Sequence, residues 1–197
     1  MVRKKILFIA ASLLAAVGTS FGAYAAYLQV VGNFHTVIDG EVYRSAQPTT
    51  AELNAYVKEH GIKTVINLRG SSNDSSWYRD EIKTSQELGV KHIDFRMSAS
   101  QVLSRERIDE ITAIMASAPK PILIHCQSGS DRTGLVSAIY AYRIAGETED
   151  AAEGQLSFYY GHVGIPVISS AWAMDKSWET LEHRANNSVS NLPNARG

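Results

Sequence analysis

The chain has 197 residues, enough for one ordinary domain, and is 45% apolar and 20% charged. That balance supports a sizeable buried core and excludes global disorder. Nineteen basic residues against twenty acidic ones give a net charge of −1, where a nucleic-acid binder would normally carry a basic excess. A single cysteine excludes an internal disulfide and any multi-cysteine metal site, and leaves one thiol to be explained.

Arg3, Lys4 and Lys5 precede an uncharged run from Ile6 to Phe34. Its most apolar part, Ile6 to Val17, has the size of a signal-peptide core, with Ala23-Tyr24-Ala25 as a small-residue cleavage site. The run to Val31 also exceeds the ~20 residues that span a bilayer. Residues 1–31 are therefore expected to lie outside the fold, as a signal peptide or a single membrane anchor. The basic cluster places the remainder outside the cytoplasm, periplasmic or held at the inner membrane. Beyond residue 25 the chain has 16 basic and 20 acidic residues, a net charge of −4, which weakens bulk attraction for polyanions.

The rest alternates strand-like and helix-like stretches. Val42–Ala46 reads as a strand, and Thr49 with Glu52 forms a capping box before a helix ended by Gly61. Thr64–Leu68 is a buried strand, Arg69–Ser76 a small-residue loop, and Trp77–Leu88 a weaker helix. Val90–Met97 is the next strand, and Ser104 caps a helix with the apolar stripe Ile108, Ile111, Ile114 and Met115. Pro121–His125 is a fully apolar, central strand, followed by helices over Thr133–Ala145, Glu149–Tyr160 and Ser170–Ala185. Residues 36–185 are thus expected to form one α/β domain, a three-layer α/β/α arrangement on a central, mostly parallel sheet. The polar segment from Asn186 to Gly197 is expected to be a disordered tail.

The segment that carries chemistry is His125-Cys126-Gln127-Ser128-Gly129-Ser130-Asp131-Arg132-Thr133-Gly134. It joins the central strand to a helix, where α/β folds bind anions. A short loop there turns backbone N–H groups inward, and the helix N-terminus adds partial positive charge. Gly129 supplies the backbone freedom, and the Arg132 fork suits a tetrahedral dianion. Gln127, Ser128, Gly129, Ser130, Asp131 and Arg132 are accordingly the expected phosphate-binding residues. The same surroundings favour the ionised form of Cys126 and aim it at the phosphorus of a bound monoester. Thr133 is placed to hydrogen-bond the sulfur, and His125 to brace the loop. No metal or cofactor is needed.

This loop resembles the signature of cysteine-dependent protein phosphatases of the tyrosine and dual-specificity class. Val42-Tyr43-Arg44-Ser45-Ala46-Gln47-Pro48 and Thr64-Val65-Ile66-Asn67-Leu68-Arg69 resemble the opening of compact bacterial and plant or fungal members, and the similarity spans residues 41–160. The resemblance implies a phosphocysteine intermediate and an acid that protonates the leaving group. Relatives place that aspartate about thirty residues before the cysteine, and Asp94 stands 32 positions before Cys126. Asp131, beside Arg132, is the second candidate and is placed slightly ahead. Arg44 and Arg69, at strand ends, are candidates for the mouth of the site or for surface ion pairs. His162 reads as core and turn.

The loop interior has no lysine, whereas relatives that act on phosphoinositides or inositol phosphates commonly carry lysines there. The expected substrate is therefore a phosphotyrosine protein or a small phosphomonoester. A phosphoinositide phosphatase, a non-catalytic phosphate-binding module and a rhodanese-like sulfurtransferase remain the alternatives.

Overall fold

The computed structural model describes residues 2–190. In chain order these form α1 (Val2–Val30), β1 (His35–Ile38), β2 (Val42–Ser45), α2 (Thr50–His60), β3 (Thr64–Asn67) and α3 (Ser76–Glu87). They continue through β4 (Lys91–Asp94), α4 (Arg105–Ser117), β5 (Ile122–His125), α5 (Asp131–Arg143), α6 (Glu149–Glu153) and α7 (Trp172–Ser190). The five strands make one sheet in the order β1-β2-β5-β3-β4. Only the β1–β2 pair is antiparallel, and β2–β5, β3–β5 and β3–β4 run parallel.

The apolar residues of β5 explain why it is central. Ile122 and Ile124 face one core with α4, α5 and α7, while Leu123 faces a smaller one with Leu53, Ile62 and Val90. A strand buried on both faces has no use for alternation with polar residues. The expected three-layer arrangement is therefore present, with α5 wholly packed from Thr133 to Ala141. Thr49 caps α2 with Glu52 reciprocating, and Gly61 ends it in the left-handed region at φ 65°.

Several boundaries differ from the sequence reading. β1 was not expected; it is a short edge strand whose His35–Ile38 pairing is irregular. β4 stops at Asp94 instead of Met97; beyond it Phe95 and Met97 still donate to the Asn67 and Leu68 carbonyls, while Arg96 and Met97 line a cavity. The helix expected over Glu149–Tyr160 shrinks to the five residues of α6, followed by a single 3₁₀ turn at Phe158–Tyr160. α7 continues through Ser190, five residues into the segment expected to be disordered; residues 191–197 lie outside the described residues.

α1 contains Ile9–Val30, 22 residues long and apolar enough to cross a membrane. It is not separate from the domain, however. Leu28 is buried, the Phe21 ring meets Phe158 at 4.8 Å, and the Tyr24 hydroxyl donates to the Tyr159 carbonyl at 2.7 Å. The domain's contacts therefore begin inside the apolar segment rather than at residue 36.

Candidate active site

The Cys126–Arg132 loop leaves the end of β5 and enters α5. Gly129 sits at φ 75°, and a Cβ there would stand 2.7 Å from backbone atoms of Ser45 and Ala46. Only glycine fits, so the loop lies tightly on the end of β2. Among the described residues, the amides of Gln127, Ser128, Gly129, Asp131 and Arg132 find no protein acceptor. An array of free N–H groups on a loop that opens a helix is an anion cradle. Cys126 is buried at its base.

Buried polar groups hold the cradle from behind. Arg44 is fully buried and donates to the Gly129 carbonyl at 2.8 Å and the Ser130 carbonyl at 3.3 Å. Its other terminal nitrogen bonds the Gln155 carbonyl at 2.7 Å, and the guanidinium lies 3.9 Å from the centre of the Tyr160 ring. Burial lowers its pKa to about 10, which still leaves it cationic at neutral pH. Arg44 is thus neither at the mouth nor in a surface ion pair. From the α1 side, Gln29 and Asn33 both donate to the Ser128 carbonyl, at 3.2 Å and 3.0 Å.

His125 sits behind the loop. Its Nδ1 lies 3.3 Å from the Cys126 carbonyl, and its Nε2 is 3.1 Å from Glu81 Oε1. The same oxygen is 2.6 Å from His92 Nε2, and Gln47 donates to the other oxygen. Burial opposes ionisation of Glu81, but His125 and His92 outweigh it and hold the carboxyl at about 2. Sequence reasoning missed Glu81. Its only signal is a carboxylate on the same helix face as Tyr78 and Ser85, a face that turns out to be buried.

The two candidate acids have different surroundings. Asp94 is paired across to Asn67 in the sheet. Its Oδ1 accepts from Asn67 at 2.8 Å and its Oδ2 from the Tyr78 hydroxyl at 2.5 Å. Burial and the Asp94 carboxylate push the Tyr78 phenol up to about 12. Asp131 uses only Oδ1, 2.8 Å from His162 Nδ1. His162 is buried and its Nε2 faces both Asp175 oxygens at 3.1 Å. Burial opposes its charge, yet the two carboxylates win and raise its pKa. His162, expected in core and turn, is buried and reaches the site through Asp131.

Arg132 reaches across the mouth to the Leu68 and Met97 carbonyls, both at 3.4 Å. Bonds that long are weak and readily exchanged for a charged acceptor. Among the described residues the buried Thr133 hydroxyl has no hydrogen-bond partner, the Cys126 sulfur included. Beside Arg132 opens a cavity of about 590 Å³ that Arg69, Arg96 and Arg107 also line. Arg69 stacks on Trp77, 3.5 Å from the ring centre, and bonds Gln47 at 3.0 Å.

A strand, a cysteine at the base of an anion loop and an arginine opening the next helix define the fold and site of a cysteine-based phosphatase. The family described as DSP-PTPase phosphatase fused to NAD+ kinase matches residues 30–164, and the chain belongs to this family. It is 28% identical over 112 residues to the dual specificity protein phosphatase TpbA of Pseudomonas aeruginosa (strain UCBPP-PA14). That match takes in 56% of this chain and 47% of TpbA, just under half of the relative's length. The crystal structure of P. aeruginosa TpbA in complex with pTyr superposes with a TM-score of 0.51 at 22% identity, over 74% of this chain and 91% of that one. The core catalytic domain of the PP-IP phosphatase SIW14 from S. cerevisiae, in complex with citrate, gives 0.59 at 18% identity, over 82% and 94%. Both likenesses establish the shared fold.

Proposed function

We propose that the chain is a phosphomonoester hydrolase of the protein tyrosine and dual-specificity type that works through a phosphocysteine. The observation that carries this reading is the ring of unpartnered loop amides around Cys126 with Arg132 at its rim. The amides hold three phosphoryl oxygens, and the Cys126 sulfur attacks phosphorus in line while the ester oxygen leaves. Water then releases phosphate and the thiolate. Arg132 gives up its long carbonyl bonds to clamp two of the oxygens. His125 and Arg44 are positioning residues, and the Thr133 hydroxyl is free to donate to the sulfur.

Asp131 is the acid in this reading, ahead of Asp94, because one of its oxygens has no partner among the described residues while both of Asp94's are taken. The tyrosine assignment is supported by the likeness to TpbA, whose structure holds pTyr. α1 would keep the domain at a membrane, with the site outside the cytoplasm, since the basic residues precede the apolar span.

The test is p-nitrophenyl phosphate turnover with iodoacetamide protection. Wild-type protein should release a burst of nitrophenol, Cys126→Ser should lose at least ~10⁴-fold, and inorganic phosphate should slow alkylation of Cys126. A thiol that alkylates with the pH profile of a free mercaptan, with no turnover, would sink the enzyme reading. Thiosulfate turnover would move the chain to the sulfurtransferases.

A further inference from the structure

The turn Gly161-His162-Val163-Gly164 is pressed between the catalytic loop and α7. Gly161 lies in the left-handed region at φ 83°, and a Cβ there would stand 2.9 Å from Ser130 Oγ. At Gly164 a Cβ would collide with the Asp175 carboxylate. Glycine on both sides thus lets His162 sit between the start of α5 and α7. Its ring bridges two acids: Nδ1 is 2.8 Å from Asp131 Oδ1, and Nε2 is 3.1 Å from both oxygens of Asp175. The histidine side chain is 2% exposed, against 28% for Asp131 and 29% for Asp175. A proton on the ring therefore exchanges through one carboxylate or the other.

A histidine whose two nitrogens both face carboxylates is favoured as the imidazolium, with two donors. Burial works against that charge, but the bonds to Asp131 and Asp175 outweigh it and raise the pKa above the ordinary 6.5. The remaining charges nearby are already engaged or stand behind Asp175. Arg44, on the same loop, is held by the Gly129 and Ser130 carbonyls. Glu153 and Glu179 line a small cavity together with Asp175 and Gly164, and Glu179 is paired with Lys176 at 2.6 Å. An isolated carboxyl has lost its proton well below neutral pH, which makes it a poor acid there. Coupled to His162, Asp131 shares a proton that the pair retains to higher pH.

We propose that His162 and Asp175 are positioning residues for proton transfer: His162 stores the proton that Asp131 delivers to the leaving group, and Asp175 holds the ring and balances its charge. This inference rests on the assignment of Asp131 as the acid and deepens it. In the first step the Nδ1–H bond breaks as Asp131 Oδ1 takes the proton. The carboxyl, which is part exposed, turns and passes it to the ester oxygen as the bond from phosphorus to that oxygen breaks. His162 is left neutral, with its Nε2–H on Asp175. In the second step Asp131 takes a proton from the attacking water and returns it to Nδ1. Over the full cycle the pair neither gains nor loses a proton.

The pH dependence of kcat for phenyl phosphate and p-nitrophenyl phosphate, on the full chain in detergent, tests this. Ratios of parent to variant at each pH cancel the titration of Cys126 and of the substrate. His162→Gln should lower kcat on phenyl phosphate at least ~10-fold at neutral pH, with KM nearly unchanged. The deficit should close as pH falls toward about 4, so the basic limb moves to lower pH. The loss on p-nitrophenyl phosphate should be smaller, because a better leaving group needs its proton less. Asp175→Asn should move the limb in the same direction by a smaller amount. In an Asp131→Asn background, His162→Gln should add no further loss. Thermal melting reports whether each variant is folded, and if His162→Gln is not, the Asp175→Asn shift decides. A deficit equal at every pH, a basic limb moved to higher pH, or full additivity with Asp131→Asn overturns the inference while the acid assignment stands. An Asp131→Asn protein as fast as the parent removes the acid assignment and this inference with it.

Discussion

The two sides of the site are built on opposite principles. The cradle side is held by buried charges that all have partners: Arg44 on three backbone carbonyls, and Glu81 between His125, His92 and Gln47. The cavity side consists of Arg69, Arg96 and Arg107, on or near the surface and without acidic neighbours in the lining. A buried charge is tolerated when it is well hydrogen-bonded, so it fixes geometry. Arg44 meets this through both terminal nitrogens, its Nε having no partner among the described residues. On the cavity side Arg96 is exposed, whereas Arg69 and Arg107 are half-buried and stack on Trp77 and Phe95.

The largest effect should come from breaking the brace. Arg44→Ala leaves the Gly129, Ser130 and Gln155 carbonyls without their donor and removes the stack on Tyr160. A loss of about 4 kcal/mol is expected, read as a lower denaturation midpoint together with reduced aryl phosphate turnover. An unshifted midpoint with full turnover would mean that the loop holds itself.

Next is the acid. Asp131→Asn should lower kcat about 100-fold on an aryl phosphate, while Asp94→Asn should change it by only a few-fold. The reverse outcome would move proton donation from the cradle side to the end of β4.

The smallest effect concerns Glu81. Its carboxyl falls from 4.5 to about 2 in the folded protein. A depressed carboxyl stabilises the fold above pH 4.5, and that contribution is lost as pH falls from 4.5 toward 2. The shift bounds the contribution at about 3 kcal/mol. Glu81→Gln retains part of the hydrogen bonding, so about 2 kcal/mol should be lost at neutral pH and the acid dependence in that window should flatten. Acid unfolding curves of the two proteins check this. Parallel curves would place the histidine contacts outside the stability of the cradle.

The legible part of the molecule was the part governed by neighbours in sequence. The Thr49 capping box, the Gly61 terminator, the apolar run of β5 and the loop from Cys126 to Arg132 are each specified within a few residues. Helix caps, strand burial and helix-terminal N–H groups are local physics. Where a boundary depended on packing, the reading missed. β1 has four residues paired to the edge of β2, and β4 ends at Asp94 although Phe95 and Met97 still donate to the Asn67 and Leu68 carbonyls.

What the sequence determined by itself was the order of elements, the parallel α/β layering and the thiol-bearing anion loop, since backbone propensity and hydrophobic period are written residue by residue. What only the tertiary structure decided was which distant charges meet that loop. Arg44 and Glu81 come from β2 and α3 to stand behind it, and Arg69, Arg96 and Arg107 come from three separate segments to stand before it. A charge acts through space over several ångströms. The chain positions that bring two charges together are set by the packing of the whole sheet, and a pattern read along the chain contains no measure of that distance.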